Sequence, residues 1–294
     1  MIVTSADEFA THRSRLFGIA YRMLGSVSEA EDMIQETFLR WHAQDTTAIA
    51  NPRAWLVSTI TRLCIDQLRS ARRKREDYYG VWLPEPLVED HAPSPADHAA
   101  LADSLTMAFM LMLESLTPEE RAVFLLREAF SHDYNEIARI VGKSEAACRQ
   151  IVSRAKEHLA RRRSRFAPDA QKAQDVVKRF LAACDTGDTS ALLTVLADDV
   201  TLYSDGGGRV RALGRPVRTA DHVGRFFIGI RRRFHAADDY RIVSVNGRPG
   251  VLVVADGRIR DVYAFEIVDG RVETIFVVRN PDKLRHLRGF HGLG

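Results

Sequence analysis

The stretch EIARIVGKSEAACRQIVSRAKEHL, residues 136–159, decides how the first half of this chain folds. It predicts a short helix, a turn at Gly142 and a second helix that begins at Ser144. Asp133 precedes the first helix as an N-cap residue. Two short helices joined by a glycine turn form a helix-turn-helix, so we expect DNA binding through residues 133–158.

Two basic blocks support a polyanionic partner. Residues 139–165 carry nine basic residues and two acids, and residues 53–75 carry seven basic residues and one acid. The net charge of the whole chain is only +3, so the distribution of charge carries this argument and the total does not. A solvated helix face is the alternative for either block, but the later block grows out of the helix-turn-helix.

An acidic helix precedes these blocks. The pair Ser28 and Glu31 predicts a capping box at the start of a helix that runs to about residue 43. Helical spacing places Ile34 and Trp41 on its buried side and an acidic and polar group on the opposite side. That group comprises Asp32, Gln35, Glu36 and Leu39. It is either solvated or a docking face for a protein partner.

The chain divides by composition into four segments, which we expect at residues 1–76, 77–98, 99–168 and 169–294. The first and third are all-α, and the second is a linker with four prolines. Three aromatic residues exceed what a plain spacer needs, so docking of the linker is an even alternative. The fourth segment begins with helices and ends in strands separated by Asn-Gly and Asp-Gly turns, which predicts an α+β domain.

Several classes of protein are excluded. Three scattered cysteines argue against a disulfide framework or a cysteine-rich metal site, and we expect no metal or cofactor. The N-terminus lacks the pattern of a signal peptide, and no apolar run is long enough to span a membrane. We therefore expect a cytoplasmic protein.

The ordered motifs AEDMIQETFLRWH, NPRAWLVSTITRLCIDQLRSARRK and SLTPEERAVFLLREAFSHDYNEIARIVGKSEAACRQIVSRAKEHL resemble extracytoplasmic-function (ECF) sigma factors of bacterial RNA polymerase. The resemblance covers about residues 7–165 and implies two all-α sigma domains, region two and region four. It implies that the acidic face, with Asp32, Gln35, Glu36 and Leu39, binds the clamp helices of core polymerase.

The resemblance also implies two promoter contacts. In region two, the loop at residues 43–51 would face the melted strand of the minus-ten element, near Asn51, Arg53, Trp55, Arg62 and Arg69. Trp55 is equally well explained as a core residue.

In region four, the second helix of the helix-turn-helix would enter the major groove at the minus-thirty-five element. Its candidate residues are Ser144, Glu145, Arg149, Gln150, Ser153, Arg154 and Lys156. Arg149 and Gln150 suit base edges, and Arg154 and Lys156 suit phosphates.

Residues 169–294 resemble the SnoaL-like fold, a cone-shaped α+β domain. A sigma domain pair followed by this fold matches the subgroup that includes the mycobacterial sigma J kind. Three motifs support the match, and the resemblance implies that the fused domain and these motifs regulate the sigma domains. They are Trp82-Leu83-Pro84-Glu85-Pro86, Asp205-Gly206-Gly207-Gly208 with Arg209, and Asn280-Pro281-Asp282-Lys283-Leu284. The family usually has Lys where this chain has Arg209.

Relatives of the SnoaL-like fold include isomerases, so a pocket is an alternative use of the last domain. It would gather Tyr203, Asp205, His222, Phe226, Tyr263 and Phe265 and hold an unknown small ligand. Asp205 is more simply explained by a turn in which its carboxylate accepts backbone N–H groups. We therefore expect no enzyme. The alternatives are a ligand-sensing helix-turn-helix regulator and an isomerase fused to a DNA-binding segment. For the arginine-rich run that begins at residue 209, three roles remain open: contact with DNA, contact with the acidic face of region two, or a solvated surface.

Overall fold

The computed structural model describes residues 5–45, 49–76, 78–89, 105–160, 170–234 and 238–288. These residues form two compact units. The N-terminal unit combines Met1–Asp77 with Met110–Arg163, and the C-terminal unit combines Tyr78–Phe109 with Ser164–Gly294. The linker residues 78–89 therefore belong to the C-terminal unit. Residues 90–98 of the expected linker lie outside the described residues.

Three helices make the first half of the N-terminal unit: α1 (Ser5–Leu24), α2 (Val27–His42) and α3 (Pro52–Glu76). α1 ends at Gly25, as expected, because the backbone there has a φ of 67° that glycine adopts readily. The predicted capping box at Ser28 was wrong. α2 begins two residues earlier, because the Ser26 hydroxyl accepts the backbone N–H of Glu29 at 3.1 Å.

Four helices make the following segment: α4 (Met107–Leu113), α5 (Pro118–Glu128), α6 (Tyr134–Val141) and α7 (Glu145–Ala160). α6 and α7 form the predicted helix-turn-helix. Asp133 accepts the N–H of Glu136 at 2.7 Å, and Gly142 takes a left-handed conformation between the helices. The expected Asp133 cap is therefore confirmed, and Ser144, where we expected the second helix to begin, accepts the N–H of Ala147 at 3.2 Å.

The C-terminal unit has the predicted α+β fold. Its elements are β1 (Val88–Glu89), α8 (Ala170–Thr186), α9 (Thr189–Val195), β2 (Leu196–Asp205), β3 (Val217–Arg218), α10 (Ala220–Phe234), β4 (Asp239–Val245), β5 (Arg248–Ala255), β6 (Arg258–Val268), β7 (Arg271–Val278) and a 3-10 turn (Arg285–Leu287). The strands form one sheet in the order β1-β4-β5-β6-β7-β2-β3. β4 to β7 are the expected meander. Its three turns place Asn246, Asp256 and Asp269 at positive φ, as in type I′ hairpins.

Two features of this sheet were not predicted. β2 pairs with β7 in the parallel direction, with Tyr203 opposite Phe276. The short strands β1 and β3 lie at the two edges, and two residues are too few to show an alternating pattern.

The strands bury one face against the helices. The core between them includes Leu202, Phe265 and Ile275 with Phe180 and Phe227 from the helices. Because side chains alternate along a strand, Tyr203 points to the other face, where it stacks on Phe276 at 5.5 Å. This alternation decides which residues of the C-terminal unit can meet.

The three cysteines are buried and free. Within the described ranges, no helix has both the length and the apolar character needed to cross a bilayer.

Candidate functional site

The acidic face of α2 exists as the spacing predicted. Asp32 and Gln35 are exposed, Glu36 is half-buried, and Ile34 and Trp41 are buried on the opposite side. Glu36 pairs with Arg40 at 2.8 Å. Leu39 is 56% exposed beside these polar groups, which is a large fraction for a leucine on a globular surface. The face therefore offers an apolar anchor surrounded by acids and amides.

The first candidates for minus-ten contact lie where α3 begins. The Asn51 side chain accepts the N–H of Ala54 at 3.0 Å, so it caps the helix. Trp55 is half-buried and its ring lies 5.5 Å from that of Trp41, which makes it partly a core residue. Arg53 is exposed. Residues 46–48 of the adjoining loop lie outside the described residues.

The other two candidates on α3 contact the second half of the N-terminal unit. Arg62 donates from Nε to the carbonyl of Ile140 at 3.1 Å and from Nη2 to the carbonyl of Arg139 at 3.0 Å. These carbonyls end α6, where the helix dipole attracts a cation. Arg69 pairs with Glu119 on α5 and with Asp66 at 3.2 Å.

Further contacts that the sequence did not reveal join the same two halves. Arg121 on α5 is buried and donates to the carbonyl of Met23 at 2.6 Å and to that of Leu113 at 3.1 Å. Arg15 on α1 donates to the carbonyl of Phe130 at 3.0 Å. We call this docking of residues 110–163 on residues 1–77 the closed arrangement.

The recognition helix α7 presents a polar side. Its buried side holds Cys148, Val152, Ala155 and Leu159. The exposed side carries the candidates Ser144, Arg149, Gln150, Ser153, Arg154 and Lys156, with Glu145 half-buried. Arg149 pairs with Glu145 at 2.8 Å and lies 4.3 Å from the ring centre of Tyr134. Lys156 pairs with Glu128 at 2.8 Å. The basic residues 161–165 lie outside the described residues.

The three motifs assigned to regulation meet in the C-terminal unit. The Asp205 carboxylate, fully buried at the end of β2, accepts four hydrogen bonds. Oδ1 accepts from the Tyr78 hydroxyl at 2.5 Å and from the Gly207 N–H at 3.0 Å. Oδ2 accepts from the Leu83 N–H at 2.8 Å and from Lys283 Nζ at 2.7 Å. We call this cluster the Asp205 junction.

Lys283 supplies the positive charge of the junction. Its ammonium also donates to the carbonyl of Leu83 and lies 4.2 Å from the ring centre of Trp82. The Asn280 amide donates to the Tyr78 hydroxyl at 3.0 Å. Burial and the bond to Asp205 raise the pKa of Tyr78 above its usual value, so this hydroxyl keeps its proton.

A second set of bonds extends the docked linker. His286 lies 2.9 Å from the carbonyl of Pro86, and Leu87 donates its N–H to the Asn246 side chain at 3.0 Å. β1 then adds to the sheet edge beside β4. Tyr78 is one of the three linker aromatics that favoured docking, whereas the sequence did not single out His286, because it belongs to no motif.

The glycines of the second motif have a steric explanation. Gly207 has a φ of 59°, and a Cβ atom there would overlap the Asn280 amide and lie 3.0 Å from the Tyr78 hydroxyl. The Asp205 carboxylate bonds the N–H of Gly207, so the expected turn is confirmed.

The six residues suggested for an isomerase pocket do not gather. Tyr203 lies on the face away from the helices, whereas Phe226, Tyr263 and Phe265 pack in the core between sheet and helices. His222 is exposed and bonds Thr219 at 3.0 Å. The pocket alternative was wrong, because successive side chains of a strand point to opposite faces of the sheet and these residues do not share one face.

The sequence did not reveal a different pair of acids, Asp238 and Asp261. Arg260 donates to Asp238 at 3.2 Å and to Asp261 at 3.3 Å, and Arg279 Nε lies 3.3 Å from the Asp261 carboxylate. Burial raises the pKa of Asp261. Two arginines thus face these two acids, which lie 23 positions apart in the sequence.

The comparisons with known proteins agree with this organisation. The family model for Sigma-70 region 2 matches residues 9–74, and the model for Sigma-70, region 4 matches residues 106–159. The chain is 37% identical to the ECF RNA polymerase sigma factor SigJ of Mycobacterium tuberculosis, over 94% of this chain and 92% of the relative. It is 34% identical to the probable ECF RNA polymerase sigma factor SigI of the same species, over 96% of each chain.

A crystal structure of M. tuberculosis SigJ superposes with a TM-score of 0.78 and 35% identity. The match covers 95% of this chain and 98% of that one, so it extends through the C-terminal unit.

We predict that Gly207→Ala releases the linker from the Asp205 junction. The added methyl group overlaps the Asn280 amide, and the positive φ disfavours alanine. Hydrogen exchange in residues 78–89 should accelerate at least tenfold. The matched control is Gly214→Ala, where a Cβ atom meets nothing within 4 Å. Equal exchange in both variants would contradict the prediction.

Proposed function

The chain belongs to the ECF family of RNA polymerase sigma factors and acts in transcription initiation, and from this premise we propose how its surfaces and its C-terminal unit do so. It acts in the cytoplasm, where core polymerase and the promoter are found. The N-terminal unit carries the polymerase face and both promoter contacts. The C-terminal unit regulates when these surfaces are available.

The acidic face of α2 binds the clamp helices of core polymerase. Leu39 supplies the apolar anchor, and Asp32, Gln35 and Glu36 supply polar groups around it. An exposed apolar side chain with a polar rim is the usual composition of a protein interface. Asp32, Gln35 and Leu39 are exposed in the structure, which supports a partner outside the chain.

The promoter contacts come from α3 and α7. Asn51, Arg53 and Trp55 face the melted minus-ten strand, together with Arg62 and Arg69. On α7, Arg149 and Gln150 read base edges, while Ser144, Glu145 and Ser153 lie beside them and Arg154 and Lys156 hold phosphates. All of these except Trp55 and Glu145 are exposed in the structure.

One observation carries the proposal of regulation: two arginines proposed to contact the minus-ten element hold region four instead. The guanidinium group of Arg62 binds carbonyls at the end of α6, and that of Arg69 binds Glu119. A guanidinium group cannot fill these bonds and bind phosphate with the same N–H groups. Regions two and four must also separate to reach two promoter elements. The closed arrangement is therefore inactive.

The C-terminal unit controls this opening through the linker. The Asp205 junction binds residues 78–89, which lie on the chain between region two and region four. While these residues are docked, they do not add to the length of free chain that allows regions two and four to move apart. The motifs Trp82–Pro86, Asp205–Gly208 and Asn280–Leu284 regulate the sigma domains by keeping this linker bound.

The C-terminal unit is not proposed to be an enzyme. The residues suggested for a pocket lie on two faces of the sheet, and the acids Asp238 and Asp261 are faced by arginines. No observation favours an isomerase or a ligand sensor over a regulatory domain.

We predict that Gln35→Ala combined with Glu36→Arg abolishes co-purification with core polymerase. The change removes an amide and reverses a charge on the acidic face. The control is Gln171→Ala with Asp175→Arg on α8, which likewise removes an amide and reverses an acidic charge but lies in the C-terminal unit. Normal binding of core by the first variant would exclude this face and favour a stand-alone helix-turn-helix regulator.

We predict that Glu119→Gln weakens the closed arrangement, because Arg69 loses its charged partner on α5. Run-off transcription on a promoter library first identifies a template. The chain concentration that gives half-maximal transcription should then fall about two- to fivefold, since the pair is exposed. Glu31→Gln, which breaks an exposed pair with Arg13 inside the first half, should leave it unchanged. An equal half-maximal concentration for Glu119→Gln and the wild type would contradict the proposal that the closed arrangement is inactive.

We predict that Lys283→Met raises run-off transcription severalfold. It removes the cation that joins Asp205 to the Leu83 carbonyl, so the linker is released and regions two and four separate more easily. Arg285→Met is the control, because Arg285 lies nearby but pairs with Asp282 and not with Asp205. Unchanged transcription together with faster exchange of residues 78–89 would show that linker docking does not regulate.

A further inference from the structure

The loop after the Asp205 junction carries an uncompensated positive charge. Residues 206–220 contain four arginines and no acid. Arg209 pairs with Asp282 at 3.1 Å. Arg211, Arg215 and Arg218 are exposed, and their guanidinium groups have no hydrogen bond or ion pair with any part of the chain that the structure describes.

An exposed aromatic ring lies beside these arginines. Tyr79 is 76% exposed, the largest fraction among the large apolar side chains that stand out on the described surface. A Cβ atom on Gly208 would lie 3.4 Å from the Tyr79 Cβ, and one on Gly80 would lie 3.8 Å from the Leu213 carbonyl. Tyr79 therefore lies along the loop, between its two ends. Val210 is also 38% exposed there.

The Asp205 junction fixes this surface. Asp205 binds the N–H of Gly207 at the start of the loop and the hydroxyl of Tyr78 next to Tyr79. Arg209 is anchored by Asp282 of the third motif. The linker and the loop are thus held side by side, with Tyr79 next to Gly208 and Gly80 next to Leu213.

We propose that the basic loop, residues 206–218 with Tyr79, is a third DNA-contacting surface that binds the phosphate backbone of promoter DNA. Unpaired guanidinium groups bind phosphate oxygens in two-point contacts. An exposed tyrosine supplies a flat ring for a sugar or an unstacked base. A sigma factor already brings promoter DNA to this chain, so the complementary polyanion is at hand. This inference rests on family membership and not on the proposed regulation.

The test measures binding of the full-length chain to a fluorescent 30-base-pair duplex of mixed sequence as NaCl is raised. Phosphate contacts release counterions, so each lost contact makes the slope of log K against log salt shallower by about 0.9. The triple variant changes only the unpaired arginines: Arg211→Ala, Arg215→Ala and Arg218→Ala. We expect its slope to be shallower by about 2 to 3.

A second triple variant controls for net charge. It removes three exposed cations elsewhere in the C-terminal unit: Lys172→Ala, Arg179→Ala and Arg271→Ala. Its slope should equal that of the wild type. Equal slopes for the two triple variants would overturn the proposal. Thermal unfolding of both variants checks that the exposed substitutions leave the fold intact.

A photocrosslinking amino acid at Gly214, which lies on the basic loop and not on the linker and where a Cβ atom meets nothing within 4 Å, distinguishes DNA from an acidic protein partner. In the holoenzyme bound to a promoter fragment, crosslinks to either DNA strand support the proposal. Crosslinks to polymerase subunits alone would overturn it and assign the basic loop to a protein interface. Tyr79→Ala should weaken duplex binding severalfold without changing the salt slope, because the ring carries no charge.

Discussion

The buried ion pair between Asp205 and Lys283 is the interaction on which the C-terminal unit depends for its hold on the linker. A buried carboxylate is costly unless all its acceptor positions are filled, and here four donors fill them. Two of those donors, the Tyr78 hydroxyl and the Leu83 N–H, come from the linker. If the linker left, Asp205 and Lys283 would stay together but would lose partners that water must replace. Docking is therefore specific to this segment and reversible in principle.

The N-terminal unit relies on a different use of charge. Its two halves are joined by arginines that donate to backbone carbonyls and carboxylates, and Arg121 is buried in doing so. Guanidinium groups bind phosphate equally well, so in the function we propose DNA competes directly with the closed arrangement for Arg62 and Arg69. A modest difference in affinity is enough to shift such a balance, because each exposed contact contributes little. In this proposal, Arg62 and Arg69 both contact the promoter and, in the closed arrangement, oppose promoter binding.

The sequence predicted the helices, the helix-turn-helix caps and the hairpin turns, since each depends on a few neighbouring residues. Asp133 and Ser144 act as N-caps because capping needs only a short side chain at one position. The predicted position of the α2 cap was wrong. Ser26 and Ser28 are chemically equivalent as capping residues, and the fold decides that Ser26 is the one that caps. The acidic face of α2 was predictable from helical period alone. The isomerase pocket failed because the sequence does not reveal which face of a strand meets the helices.

The Asp205 junction was beyond sequence reasoning for a topological reason. Its residues come from three segments, at 78–83, 205–207 and 280–283, and only the parallel pairing of β2 with β7 brings the last two together. The first segment lies between the two halves of the N-terminal unit, so chain connectivity links the units in function. A docked linker has less conformational freedom than a free one, which raises the effective concentration of region four near region two. Release of the linker would lower that concentration, so in the regulation we propose an event at the Asp205 junction changes the stability of the closed arrangement without any need for a ligand in the sheet.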